Sequence, residues 1–124
     1  MAEGKILCVS FDRVVSDNRC AVLKEAGYTV TGTTRITEAL QLLSGEKFDL
    51  IIIGHRFPTQ DKYVLAVEAK QKANTPVLLV CGGSAEAEIP AAGRVYALEG
   101  TLGLLSAVTA LMPTEVSGTP RAAA

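Results

Sequence analysis

Histidine is nearly missing from this chain, and cysteine is sparse: 124 residues hold one His and three Cys. A His-based metal centre or a two-His acid/base pair therefore cannot be assembled within one chain. The cysteines (Cys8, Cys20 and Cys81) are odd in number and show neither CxxC nor Cys/His ligand spacing. That usage is expected of reduced, mostly buried thiols in a cytoplasm. An excess of either charge is also lacking, since 12 basic and 13 acidic residues give a formal net charge of -1. Such a balance leaves no electrostatic footprint for nucleic acid or an anionic membrane. No apolar run reaches about 18 residues, and no basic-then-apolar leader follows Met1. Neither membrane spanning nor secretion is indicated.

What is present is apolar matter in an alternating order. Hydrophobic residues make up 48% of the chain, too many for a disordered polymer and enough for a real core. The length suits one domain, expected over residues 1–112, with residues 113–124 (PTEVSGTPRAAA) lacking periodicity and reading as a flexible tail. The runs Lys5-Ile6-Leu7-Cys8-Val9, Leu50-Ile51-Ile52-Ile53 and Val77-Leu78-Leu79-Val80 have almost no polar face. Strands of that kind are covered on both sides, as in a parallel sheet under helices. Residues 28–33 (YTVTGT) alternate and are β-branched, which suits a strand nearer an edge. Residues 94–98 (RVYAL) supply a fifth.

Helical patterns separate these strands. Residues 13–26 place Val14, Val15, Val22, Leu23 and Ala26 at helical spacing and stop at Gly27. Residues 37–43 form a second helix ending near Gly45, and residues 61–73 a third with Val64, Leu65 and Val67 on one side. Residues 101–111 form the last, closed by Pro113. Residues 84–92 are expected to give a short or irregular helix because Pro90 removes a backbone donor there. The expected architecture is α/β: a flavodoxin-like (βα)5 doubly wound parallel sheet of strand order 2-1-3-4-5.

The ordered landmarks in this pattern resemble the receiver domain of response regulators, the CheY-like family. Ile6-Leu7-Cys8-Val9 leads to an acidic-turn position, and Leu23-Lys24-Glu25-Ala26-Gly27-Tyr28 matches a first helix running into a second strand. Glu38-Ala39-Leu40 and Phe48-Asp49-Leu50-Ile51-Ile52-Ile53 follow in order, then Pro58 and Asp61, then Thr75-Pro76-Val77-Leu78-Leu79-Val80. The resemblance spans roughly residues 4–112 and implies two-component signalling or phosphorelay. Receiver chemistry uses an acidic pair that holds Mg2+, a nucleophilic aspartate, and a Ser/Thr and a Lys that bind the phosphoryl oxygens.

The matching positions in this chain hold other residues. The acidic pair falls on Ser10 and Phe11, the nucleophile on Gly54, the Ser/Thr on Cys81 and the Lys on Glu99. A glycine cannot form an acyl phosphate. The resemblance therefore implies the fold and argues against the family's chemistry, with no catalytic residue, no metal and no cofactor expected. Asp12 and Asp61, the remaining acids nearby, are expected to cap the first and third helices.

Further expectations attach to the strand ends. Arg56 and Glu99 are expected to form an ion pair across the pocket, the plain alternative being two solvated rim charges. His55 and Cys81 could serve a thiolate-based redox role, although a buried Cys at a strand end is usually packing. Cys8 and Cys20 are read as packing residues. Gly82-Gly83-Ser84 reads as a tight turn with a faint likeness to an anion-binding loop. Arg94, Tyr96 and Leu98 alternate along one strand face and could present a partner surface. The resulting expectation is a stand-alone, cytoplasmic pseudo-receiver that binds another signalling protein, or itself as a homodimer. The alternative is a flavodoxin-like small-molecule or anion binder using the crevice around Ser10, Gly54, Arg56 and Gly82.

Overall fold

Runs without a polar face become the central strands, and the helices between them cover both sides. The computed structural model describes residues 4–72, 74–82 and 89–112. In chain order its elements are β1 (Lys5–Val9), α1 (Arg13–Glu25), β2 (Thr29–Thr33), α2 (Ile36–Gly45), β3 (Leu50–Ile53) and α3 (Thr59–Gln71). They continue with β4 (Val77–Cys81), β5 (Gly93–Tyr96), a 3-10 turn at Ala97–Glu99, and α4 (Gly100–Leu111). The strands form one parallel sheet of order β2-β1-β3-β4-β5. This is the expected order, with the alternating β2 at one edge and the uniformly buried β3 and β4 inside.

The strand period of two divides the core into two layers. On one face Leu7, Val9, Ile51, Ile53, Val77 and Leu79 pack with Leu43, Phe48 and Leu65 beneath α2 and α3. On the other Ile6, Cys8, Ile52, Leu78 and Val80 pack with Leu23, Leu104 and Val108 beneath α1 and α4.

Several local expectations need correction. The fifth strand ends at Tyr96, because Ala97, Leu98 and Glu99 wind into the 3-10 turn that feeds α4. The third helix begins at Thr59 rather than Asp61, so Asp61 sits in its first turn and Pro58 is at the cap without a side-chain bond. Its buried face is Lys62, Leu65, Ala66 and Ala69, leaving Val64 exposed. In α1 the buried residues are Ser16 and Leu23, and Val14 faces solvent. Of the short or irregular helix expected over residues 84–92, residues 84–88 lie outside the described residues, as do Gly83, Ala73 and the expected tail. Residues 89–92 are described and are not helical. Among the described residues no helix is long and apolar enough to cross a membrane.

Candidate functional site at the carboxyl ends of the strands

Parallel strands aim their carboxyl ends at one edge, where loops rather than helices set the chemistry. Val9, Ile53, Cys81 and Tyr96 close β1, β3, β4 and β5 there. The ladder carries one step further: the Ser10 amide donates to the Thr33 carbonyl at 3.1 Å, and the Gly54 amide donates to the Val9 carbonyl at 2.8 Å. Ser10 and Gly54 are thereby fixed side by side and buried.

The side chain that fills this place comes from α1. Arg19 Nη1 donates to Ser10 Oγ at 3.2 Å, and a Cβ built on Gly54 would stand 3.3 Å from the same nitrogen. It would also stand 3.2 Å from the Val9 carbonyl oxygen and 3.4 Å from Ser10 Cα. A guanidinium, charged at any ordinary pH, thus occupies the floor of the crevice. Ser10 is satisfied from below as well, with Cys8 Sγ 3.7 Å from its hydroxyl.

Asp12 is spent on the start of α1. Its Oδ1 accepts from the Val14 amide at 2.7 Å and the Val15 amide at 3.3 Å, so it caps α1 as expected. Phe11, about half exposed, lies across the rim. Its ring meets Phe57 edge-on at 5.6 Å between centroids, and the Arg56 guanidinium sits 5.6 Å above it. The expected Arg56–Glu99 ion pair is not present among the described residues. Arg56 is held on the β3 side, while Glu99 Oε2 accepts from the Tyr96 amide at 3.0 Å and stiffens the 3-10 turn. The crevice left among Phe11, Asp12, Val15, Arg19, Gly54 and Arg56 measures about 160 Å³.

The remaining candidates divide between core and surface. Cys81 is buried, with its sulfur 3.9 Å from the Leu79 carbonyl oxygen. His55 lies over Gly82, where an added Cβ would come within 2.9 Å of the ring. Lys62, only 2% exposed, reaches from α3 and donates its ammonium to the His55 carbonyl at 2.9 Å. On the far side Arg94 and Tyr96 are exposed along β5, with Arg94 donating to the Ile89 carbonyl. Leu98 is 99% exposed and Leu102 81%. A groove of about 180 Å³ runs beside them between α1 and α4, lined in part by Val15, Arg19, Tyr96 and Leu104. Arg19 therefore borders both the crevice and the groove. Among the described residues no three His, Cys, Asp or Glu side chains converge as a metal site would need.

Two positions escaped sequence reasoning. Arg19 and Lys62 both lie on inward stripes, Ser16-Arg19-Leu23 and Lys62-Leu65-Ala69, at the i, i+3, i+7 spacing of a covered helix face. That spacing was the available signal, masked by the residues being charged.

No protein-family model matches the chain, and no curated protein matches it either. Solved structures do. The Vibrio cholerae chemotaxis protein CheY4 is 21% identical, covers 90% of this chain and 100% of its own, and superposes with a TM-score of 0.74. The fold is the receiver fold. A signal receiver domain of a histidine kinase from Syntrophus aciditrophicus is 25% identical over 98% of this chain and 96% of its own, with a TM-score of 0.75. The Thermotoga maritima response regulator TrrA, solved with Mg2+ and beryllofluoride, is 21% identical, covers 87% of this chain and 98% of its own, and gives a TM-score of 0.75. On this receiver scaffold, the edge where the resemblance puts phosphoryl chemistry carries a glycine, a serine and an arginine.

Proposed function

We propose that the chain is a pseudo-receiver: a signalling module that is not phosphorylated on aspartate, catalyses nothing itself, and acts by binding another signalling protein. One observation carries the reading. Arg19 Nη1 lies 3.3 Å from where a Cβ at residue 54 would stand, and Gly54 supplies no oxygen to attack a phosphoryl donor. Mg2+ prefers carboxylate, phosphate and water oxygens in near-octahedral array. Ser10 Oγ with an arginine on it is the reverse of such a site.

The partner surface in this reading is the β5–α4 edge, comprising Arg94, Tyr96 and Leu98 with the groove beside Tyr96. Its support is exposure of a kind that isolated surface residues rarely share, since Tyr96, Leu98 and Leu102 are all uncovered within one short stretch. An aromatic beside aliphatic side chains and an arginine is the composition enriched in interface cores. The second reading, a small-molecule or anion binder in the crevice, has the cations Arg19 and Arg56 in its favour. Its volume of about 160 Å³ falls below the several hundred Å³ of ordinary ligand clefts, roughly 300–1,000 Å³. A space of that size suits a small anion rather than a nucleotide-sized ligand.

Incubation with acetyl phosphate, or with beryllofluoride, in the presence of Mg2+ tests the first half. No mass gain and no spectral shift are expected, and a stoichiometric phosphoryl adduct overturns the reading. Titration with inorganic phosphate separates the second, because saturable heat release that disappears in Arg19→Met assigns the crevice to an anion. For the surface, Tyr96→Ala combined with Leu98→Asp is expected to abolish capture of the cognate signalling protein while leaving the melting temperature unchanged. Undiminished capture moves the interface elsewhere.

A further inference from the structure

A second cavity, larger than the crevice and on the other side of α1, holds the reactive group that the pseudo-receiver reading leaves unused. It measures about 560 Å³ between α1, the end of β2 and the start of α2, and Cys20 opens onto it. Cys20 does not stand alone there. Cys8, fully buried on β1, belongs to the packed layer that Cys20 joins from α1. The two can meet because Gly32, the residue paired with Cys8 in the sheet ladder, has no side chain. A Cβ at residue 32 would stand 2.6 Å from Cys20 Sγ and 3.0 Å from Ser16 Oγ. A glycine inside a strand marks such close approach of a neighbouring element, and here it draws α1 down until its thiol touches the sheet.

We propose that Cys20 is a peroxide-sensitive modification site and that Cys8 is its resolving thiol, the pair closing to a disulfide between α1 and β1. The Cys20 thiolate attacks one oxygen of hydrogen peroxide or an organic hydroperoxide. The O–O bond breaks, Cys20 is oxidised by two electrons to a sulfenic acid, and hydroxide or alkoxide leaves and takes a proton from solvent. The Cys8 sulfur then attacks Cys20 Sγ, a water leaves carrying the sulfenic oxygen and the Cys8 proton, and the S–S bond forms. The net change is two thiols and one hydroperoxide to one disulfide, one alcohol or water, and one water.

The surroundings favour the first step. Hydrogen bonding from Cys8 holds the Cys20 thiol down to about 6, against the opposing effect of its partial burial. The Ser16 hydroxyl and the Lys24 ammonium add to the lowering, and the Asp17 carboxylate works against it. Cys8 moves the opposite way, raised by donating to Cys20 and by burial. It therefore stays protonated until Cys20 is oxidised. Arg19 faces Cys8 from α1. Arg13 on α1, with Arg35 and Glu38 from the α2 side, completes the charged wall, and Glu38 is already engaged by the Thr33 hydroxyl. A thiolate in a cationic, open setting is the recognised form of a reactive cysteine.

The test uses the reduced full chain with stoichiometric hydrogen peroxide, read by intact mass and peptide mapping. Wild type is expected to lose two hydrogens, mapped to a Cys8–Cys20 link. Cys8→Ser is expected to accumulate a dimedone adduct on Cys20, and Cys20→Ser to give neither product. Alkylation of wild-type Cys20 by iodoacetamide, followed across pH, needs no variant. It is expected to reach half its plateau near pH 6, where an unperturbed thiol, with a pKa of about 8.5, reaches half only above pH 8. A disulfide that persists in Cys20→Ser, absence of the adduct in Cys8→Ser, or an alkylation midpoint above pH 8 overturns the proposal. Failure here leaves the pseudo-receiver reading untouched, since acetyl phosphate tests that one.

Discussion

If Arg19 occupies the place of a receiver's carboxylate, a carboxylate returned to residue 54 must pair with it. The Gly54 backbone imposes no left-handed conformation, so the obstacle to a side chain is local crowding. A Cβ there sits 3.2 Å from the Val9 carbonyl oxygen, which is held by the Gly54 amide and has little freedom. Gly54→Ala is expected to cost about 1 kcal/mol through this contact. Gly54→Asp meets the same crowding but also brings an oxygen to Arg19 Nη1. Two unit charges about 4 Å apart attract by about 4 kcal/mol at an effective dielectric near 20. Desolvation of the carboxylate removes part of that, and a hydrogen bond to a charged group nets about 1.5–3 kcal/mol.

Four proteins measure it: Gly54→Ala and Gly54→Asp, each with Arg19 and with Arg19→Met, compared by urea unfolding at pH 7. A coupling of about 1.5–3 kcal/mol is expected between residues 54 and 19. The sign with pH is fixed as well. Pairing lowers the introduced carboxylate below its unfolded value of about 3.9, so its stabilisation is complete above about pH 5 and fades as pH falls through the folded value. A coupling under about 0.5 kcal/mol, the ordinary additivity error, would refute the placement of Arg19.

Asp12→Ala removes both cap bonds of α1 and is expected to cost about 1 kcal/mol, lowering the melting temperature by about 3–6 °C. Gly32→Ala drives a methyl against Cys20 Sγ, with an expected loss of about 1–3 kcal/mol that Cys20→Ala added to it largely restores. Reduced wild type is expected to gain stability toward urea as pH rises from about 6 toward 9. The folded Cys20 thiol, lowered to about 6, ionises before the unfolded one does, so its contribution is present at high pH and lost as pH falls through 6. Cys20→Ser is expected to flatten that rise over the same interval.

Much of the fold was legible because uniform apolar runs and their spacing record which strands are covered on both faces. Ile51, Ile52 and Ile53 could only be central, and the alternating Thr29–Thr33 only an edge. Helix faces were harder to read. Arg19 and Lys62 are charged residues turned inward to meet oxygens just past the strand ends, and Ser16 is buried on α1, so no apolar stripe marks these faces. The replacements at Ser10, Phe11, Gly54, Cys81 and Glu99 remain a reading of the sequence, and the structure places Ser10, Gly54 and Cys81 at the strand ends. What took the freed space was not legible, because Arg19 reaches it only once α1 has packed. The two members of the expected Arg56–Glu99 pair have other partners that the sequence did not reveal: Arg56 lies over the Phe11 ring, and Glu99 accepts from the Tyr96 amide.

The position of Arg19 also bears on which sequences lie within mutational reach of this one. A single change at residue 54 gives a salt bridge with Arg19, and a single change at Ser10 to an acid gives the same partner a second anion. Either acid is expected to enter as a partner of the guanidinium. In the pseudo-receiver reading proposed above, receiver chemistry would call for changes at residues 10, 11, 54, 81 and 99 as well as at Arg19. Arg19 thus ties residues 10 and 54 together, and substitutions at the two are expected to depend on one another.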